Sequence, residues 1–355
     1  MEHILAINPG STSTKIAIYE DKNLIFKKNI KHDSHTISTF NLIVDQFDYR
    51  LKAILDALNE EKIDISDLSA VVGRGGILKP MESGTYVIND LMLDEVKMKK
   101  RGEHASNLGC LLAYHIAKPL SIPSYIVDPV AVDELEEVAR YTGMKGIYRE
   151  SLFHALNHKA VGLKAAEALH KDYKDLNLII CHLGGGISVG AHKKGRVIDV
   201  NNALDGDGPM SVERSGGLPL GPFYQKLYDE NLTIDEVKKL NYGKGGLVAY
   251  LNTNDGQEIL KRIHDGDEKA KLMYEVMCYQ VAKEIGKMAV VLDGDVDGII
   301  LTGGLAYHDL AVKLISDKVR FISDILVYPG EDELEALAFG ALRVLKGIED
   351  AKIYK

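Results

Sequence analysis

The chain alternates between short apolar runs that stop at small-residue turns and longer stretches whose apolar positions recur every three or four residues. Ile4–Ile7, Lys15–Tyr19 and Leu24–Lys31 read as three strands of a meander, with Asp21-Lys22-Asn23 as one of its turns. Ile37, Phe40, Ile43, Val44, Phe47, Leu51, Ile54, Leu55 and Leu58 then step by three and four, which predicts one amphipathic helix over 37–59. Ala70–Val72 and Pro123–Val127 read as further strands. Asp90–Arg101, His104–Lys118 and residues 133–140 read as helices, with a loop from Gly143 to Gly146.

A helix at about 155–170 leads into a second half with the same grammar. Leu178–His182, Ile187–His192 and Val197–Asn201 are strands, and Gly298–Thr302 and Ile325–Tyr328 follow later. Helices are expected near 219–229, 233–240, 255–263 and 267–292, from Leu305 to Ser316, and from Asp332 to Lys346, with a Gly- and Pro-rich loop from Asp205 to Pro222. Strands alternating with helices in two halves predict an α/β protein of two duplicated domains, residues 1–150 and 151–334. At 355 residues, two cores are the natural expectation.

The turns carry the candidate chemistry. Asn8-Pro9-Gly10-Ser11-Thr12-Ser13-Thr14-Lys15 joins the first two strands, and Gly184-Gly185-Gly186 joins the first two of the second half. Thr302-Gly303-Gly304 closes a later strand. Glycine turns let the backbone reach φ > 0 and expose consecutive N–H groups to a phosphate. One such turn per half predicts a nucleotide-binding protein with ATP in a cleft between the domains. Asn8 is a candidate Mg²⁺ ligand, directly or through water. Arg74 and Arg214 each sit beside glycines, in Gly73-Arg74-Gly75-Gly76 and Arg214-Ser215-Gly216-Gly217, which would admit a ligand close to a guanidinium fork. Asp128, at a strand end before Pro129, reads as a turn aspartate or a polar group of the site.

Other patterns carry less. His154 and His158 have i, i+4 spacing, but no Glu and no third ligand completes a zinc site. His182 is either a packed core histidine or a donor to a transferring group. Asp293–Gly298 imitates half of a calcium loop, but its twelfth position is Gly304 where a bidentate Glu is required. Gly243-Lys244-Gly245-Gly246 reads as a flexible loop. Glu331-Asp332-Glu333 opens the last helix, either as cap or, through Glu333, as a carboxylate for Mg²⁺.

Composition narrows the classes. The net charge of −9 argues against a nucleic-acid-binding surface, and no apolar run reaches the length of a membrane span. Cys110, Cys181 and Cys278 lie within apolar runs, as buried free thiols of a reducing compartment do. The start, Met-Glu-His, turns polar by Asn8 and reads as no signal peptide, so a cytoplasmic protein is expected. Exposed apolar positions on the helix at 267–292 would suit a homodimer or higher oligomer.

Taken together, the Asn8–Lys15 loop, Gly73–Gly76, His154–Lys159, His182–Gly186, Arg214-Ser215-Gly216 and Thr302–Gly304 resemble the superfamily of acetate and sugar kinases, heat-shock chaperones and actin. Within it they resemble the short-chain carboxylate kinases of the acetokinase family, over essentially the whole chain. The resemblance implies two ribonuclease-H-like domains, with the last helix, about 335–355, packing back on the first. It implies that Asn8 and Glu333 hold Mg²⁺, that Arg74 and Arg214 bind the substrate carboxylate and transferring phosphoryl, that His158 and His182 contact that phosphoryl, and that Asp128 supports the site. Asn8, Gly10, Ser11, Thr12, Ser13, Lys15, His182, Gly184, Gly185, Gly186, Thr302, Gly303 and Gly304 would contact ATP. Gly185 stands where acetate kinases usually carry Asn, and Ala155-Leu156-Asn157 replaces their Gly-Thr-Ser, which favours butyrate or a branched relative over acetate. The implied reaction gives an acyl phosphate and ADP, reversibly. An acetate or propionate kinase is the alternative, and a sugar-type kinase or a non-enzymatic ATP switch is a more distant one.

Overall fold

The computed structural model describes residues 1–98, 104–204 and 206–355. Its strands, in chain order, begin with β1 (His3–Pro9), β2 (Ser13–Glu20), β3 (Asn23–Lys31), β4 (Ala70–Arg74), β5 (Thr85–Val87) and β6 (Ser124–Val127). They continue with β7 (Asn177–Leu183), β8 (Ile187–Lys193), β9 (Arg196–Val200), β10 (Gly298–Gly303), β11 (Ile325–Pro329) and β12 (Lys352–Ile353). The chain divides into two compact units. One holds Met1–Val132, Ala155–Asn157 and Asp332–Lys355; the other holds Asp133–His154 and His158–Glu331.

The first unit is built on a mixed sheet of order β12-β5-β6-β4-β1-β2-β3. Strands β1 to β3 form the antiparallel meander, and β4 and β6 join β1 in parallel. The period of two along a strand decides what each residue meets. Leu5 and Ile7 of β1 and Ile16 and Ile18 of β2 face the helices Phe47–Glu60 and Leu108–Ala117. Ile4, Ala6, Ala17 and Tyr19 face the last helix, Glu333–Leu345, through Leu334, Leu337, Ala338 and Ala341. Covering on both faces explains why β1 reads as an unbroken apolar run.

The second unit repeats the plan in order β11-β10-β7-β8-β9, with an antiparallel β7-β8-β9 meander and β10 and β11 added in parallel. Ile179, Cys181 and Leu183 face a core that includes the long helix Glu268–Val291. Leu178 and Ile180 face Val161 and Ala165 of the helix Ala155–Ala168. Cys110, Cys181 and Cys278 are buried and free, and burial pushes the Cys110 and Cys278 thiols up to about 12. Among the described residues no helix is long and apolar enough to cross a membrane.

Several elements differ from the sequence reading. The single helix expected over 37–59 is broken into Ser34–Ser38, a 3-10 turn Ile43–Gln46 and Phe47–Glu60. Ser38 and Thr39 turn their hydroxyls onto the carbonyls of His35 and Thr36, and such local bonds compete with a continuing helix. The helix expected at 133–140 shrinks to Glu137–Arg140. Its first half is held extended because Asp133 takes the Arg140 fork at 2.7 and 2.8 Å and Glu136 N–H bonds the Ile198 carbonyl. The helix expected over Asp90–Arg101 runs from Asp90 to Lys97, and residues 99–101 of that expectation lie outside the described residues, as does Asp205 of the expected loop. The helix expected from Leu305 runs from Asp309 to Val319, after a 3-10 turn. Strands β5 and β12 and the helix Gly246–Leu251 had no signal strong enough to be read.

Candidate active site

In the first unit, parity places the chemistry. Asn8 follows Ile4 and Ala6 on the face of β1 covered by the last helix, and there its amide donates to the Glu333 carboxylate. Arg74, at the end of β4, closes on the same carboxylate, with Nη1 2.9 Å from Oε1 and 3.1 Å from Oε2, and it lies 3.4 Å from Asn8 Oδ1. This partly buried ion pair joins three residues separated by up to 325 positions. Lys15 pairs with Asn8 across the β1–β2 ladder, so it projects from the same face, and it is exposed.

The turn between β1 and β2 rests on an arginine that the sequence reading missed. Arg50, on the helix Phe47–Glu60, has no exposed surface. Its Nη1 bonds the Gly10 and Ser13 carbonyls at 2.8 and 3.1 Å and its Nη2 bonds the Ser11 carbonyl at 3.0 Å. Gln46 and Thr14 take its remaining donors. The loop carbonyls therefore point at a buried cation whose burial draws its pKa below the ordinary arginine value. Ser11 and Thr12 stay exposed. Asp128, just beyond β6 at φ +38°, bonds Ser83 Oγ at 2.6 Å and the Gly84 N–H at 2.8 Å, and so fastens that loop beside the strand end.

In the second unit, His182 follows Leu178 and Ile180 on the face of β7 toward the helix Ala155–Ala168. Its ring stacks on His154, with centroids 3.7 Å apart and planes 9° from parallel, and its Nε2 is 3.1 Å from Glu331 Oε1. His154 Nδ1 is 2.9 Å from Ser188 Oγ, which sits opposite His182 in the ladder. The Gly184–Gly186 turn closes with a Gly184 N–H to Gly186 carbonyl bond of 3.1 Å and is anchored by Ser211 Oγ, 2.5 Å from the Gly185 carbonyl. Arg214 lies directly against Gly186, where a Cβ would occupy the place of the guanidinium. Thr302 is buried at the end of β10, and Gly303, at φ +85°, lets that strand end press on the backbone of Leu183.

Four expectations need correction. His158, expected to touch the phosphoryl group, has no exposed surface and both ring nitrogens are occupied, by Ser188 Oγ at 2.9 Å and His192 Nε2 at 3.1 Å. His154 is the partly exposed ring beside His182; i, i+4 spacing treats the two histidines alike, and only burial separates them. None of Gly184, Gly185 and Gly186 takes a positive φ, so their value is space rather than handedness. The glycines around Arg74 admit protein rather than ligand: Gly73 abuts Gly109, Gly75 abuts Pro129 and Gly76 abuts Asn107. The supposed flexible loop at 243–246 is the backing of the Arg214 turn, through Gly243 N–H to the Glu213 carbonyl at 2.7 Å and Leu247 N–H to the Ser211 carbonyl at 3.1 Å. Arg50 and Ser188 carried no motif in the sequence. The acidic triplet divides its work, Glu331 going to His182 and Glu333 to Arg74.

Two meander-plus-parallel sheets of this kind are the actin-like ATPase fold. Solved structures share it: acetate kinase of Porphyromonas gingivalis superposes with a TM-score of 0.80 at 21% identity over 98% of this chain and 100% of that one. A propionate kinase from Francisella tularensis gives 0.74 at 21% over 96% and 99%, and a ROK family protein from Streptococcus pneumoniae gives 0.53 at 13% over 98% and 100%. The pattern of the Acetokinase family matches residues 137–321. Butyrate kinase 1 of Clostridium acetobutylicum is 55% identical over all 355 residues, covering 100% of both chains. The chain belongs to the acetokinase family.

Proposed function

We propose that this protein transfers the terminal phosphoryl group of ATP to butyrate or a short branched carboxylate, giving the acyl phosphate and ADP, in a reversible reaction. The observation that carries this reading is the full-length 55% identity to a butyrate kinase. The residues available to the reaction agree with it. A carboxylate acceptor is already ionised near neutral pH, by analogy with side-chain carboxyls at roughly 4. It needs no base to free a proton, unlike a sugar hydroxyl. What it needs is cationic and hydrogen-bonding groups that offset repulsion between two anions and stabilise charge on the phosphoryl oxygens in flight. Arg74, Arg214, His154 and His182 supply that chemistry.

In this reading each unit contributes residues to the transfer. The exposed Ser11–Thr12 segment and the Gly184–Gly186 turn hold nucleotide phosphates, and Thr302–Gly304 borders the nucleoside. Arg214 and His154 steady the moving phosphoryl. Asp128 acts by holding the loop at Ser83 and Gly84. The donor set at Asn8 and Glu333, one carboxamide and one carboxylate, suits a hard cation that keeps waters and phosphate oxygens as its other ligands. Among the described residues no group of three His, Cys, Asp or Glu could hold a metal alone. Mg²⁺ held there by Asn8 and Glu333 would offset negative charge on the nucleotide phosphates. Glu333 would then exchange part of its contact with Arg74 for the ion, which frees the arginine for the substrate.

The test is trapping of acyl phosphate with hydroxylamine, using purified protein, ATP, Mg²⁺ and, separately, acetate, propionate, butyrate, isobutyrate and valerate. The expected result is most hydroxamate with butyrate or isobutyrate. Best activity with acetate or propionate would overturn the substrate, and no hydroxamate from any acid would overturn the reaction.

A further inference from the structure

An unbroken file of hydrogen-bonding groups runs through the second unit from Tyr173 to His154. Tyr173 Oη is 2.6 Å from His192 Nδ1, and His192 Nε2 is 3.1 Å from His158 Nδ1. His158 Nε2 is 2.9 Å from Ser188 Oγ, which is 2.9 Å from His154 Nδ1. His158, Ser188 and His192 have no exposed surface, and Tyr173 has 8%. Strand β8 builds the file, because Ser188, Gly190 and His192 share one face. A Cβ at Gly190 would stand 3.4 Å from the rings of both His158 and His192, so the glycine keeps their line clear.

Burial holds His158 and His192 well below the ordinary histidine value, so both are neutral. A neutral imidazole carries one N–H and a hydroxyl one O–H. Among the described residues Ser188 Oγ bonds only the His158 and His154 rings, so its O–H points at one of them, and with His154 neutral the file has two self-consistent proton arrangements. In the first, Tyr173 donates to His192 and every proton points onward: His192 Nε2–H to His158, His158 Nε2–H to Ser188, Ser188 O–H to His154 Nδ1. The proton of His154 then sits on Nε2. In the second, every bond is reversed and His154 carries its proton on Nδ1. Two features select the first. A phenol is a better donor than an imidazole N–H, and 2.6 Å is the length of an O–H donation rather than an N–H one.

We propose that Tyr173 is a positioning residue which, through His192, His158 and Ser188, holds His154 as the neutral Nε2–H tautomer, a fixed donor for an anionic oxygen. That this oxygen belongs to a phosphoryl group rests on the function proposed above; the tautomer does not. The file costs nothing in net charge, and it spares His154 the choice between acceptor and donor when an anion arrives.

The test uses the full chain labelled with ¹⁵N-histidine and two-bond ¹H–¹⁵N correlation near neutral pH, with His154 assigned from His154→Asn. The wild type should show His154 protonated on Nε2, and Tyr173→Phe should move it toward a mixture of tautomers. In turnover, Tyr173→Phe should lower kcat about 3–10-fold, the effect of one lost hydrogen bond, with KM for both substrates within about twofold. In a His154→Ala background the same substitution should change kcat no further. An Nδ1–H His154 in the wild type, an unmoved His154 signal in Tyr173→Phe, or an equal kcat loss with and without His154 would each overturn the relay. Should Tyr173→Phe not fold, Ser188→Ala cuts the last link and is read by the same spectrum. The Nε2–H tautomer in a protein that phosphorylates no carboxylate would keep the relay and remove the function; butyrate phosphorylation with an Nδ1–H His154 would do the reverse.

Discussion

In the proposed reaction both clusters meet an anion, and the groups behind them differ in chemistry. In the first unit the groups are ionic: Arg74 is locked on Glu333, and the neighbouring loop stands on the buried charge of Arg50. In the second unit, alongside Arg214 and Glu331, the groups behind His154 are uncharged: His154 is held by a hydroxyl, which is backed by buried imidazoles kept neutral. An ion pair is set by strong, exchangeable attraction and can be remade when a cation or substrate arrives. A chain of neutral hydrogen bonds is set by direction, and it fixes an orientation without changing the field. The ionic cluster is thus suited to binding and exchange, and the neutral one to holding a donor in place.

The comparison can be broken at several points. The largest effect is expected from Arg214→Ala, which should lower kcat/KM about 10²–10³-fold, as for other transition-state donors. Arg74→Ala should fall in the same range; near-normal kcat in both would remove the arginines from the mechanism. Gly186→Ala should cost about 10²-fold by pushing the Arg214 guanidinium aside, because an ångström of misplacement is enough. Its circular dichroism should match the wild type, and full activity would mean that Arg214 does not depend on that space. Glu333→Gln should raise the Mg²⁺ concentration for half-maximal rate about 10–100-fold, the scale of other metal-site substitutions. An unchanged Mg²⁺ titration would assign Glu333 to Arg74 alone.

A smaller effect is expected at the base of the ionic cluster. Arg50→Met leaves the carbonyls of Gly10, Ser11 and Ser13 without their donor and should cost about 1–3 kcal/mol in urea unfolding, together with weaker ATP binding. Unchanged stability would mean that the loop holds itself. The smallest is a pH effect of the neutral cluster. Burial lowers His158 and His192, so the unfolded chain, titrating near 6.5, binds more protons than the folded one just below that pH. Stability is complete above about pH 6.5 and declines as the pH falls below it. His104 and His308, also lowered by burial, and His32, lowered to about 4, add in the same direction. The urea midpoint should therefore be lower near pH 5.5 than near pH 7.5, and equal midpoints would mean that these rings are charged in the folded state.

Much of this was legible in the sequence, because it depends on neighbours along the chain. Apolar runs ending in small residues mark strands and turns whatever they pack against. The two meanders, the strands that follow them and the turn at 184–186 therefore stood in the pattern alone, and the motifs identified the acetokinase family. The sequence could not say which of two histidines four residues apart is enclosed, because a helix start offers both and only β8 packing over His158 decides. It gave no sign that Arg50 belongs under a loop some 40 positions earlier, since an arginine on an amphipathic helix usually faces water. It could not divide Glu331 from Glu333, because that choice turns on which partner each meets. Local periodicity is a property of consecutive residues. Burial, proton placement and ion pairing belong to residues far apart in the chain, and tertiary structure alone brings those together.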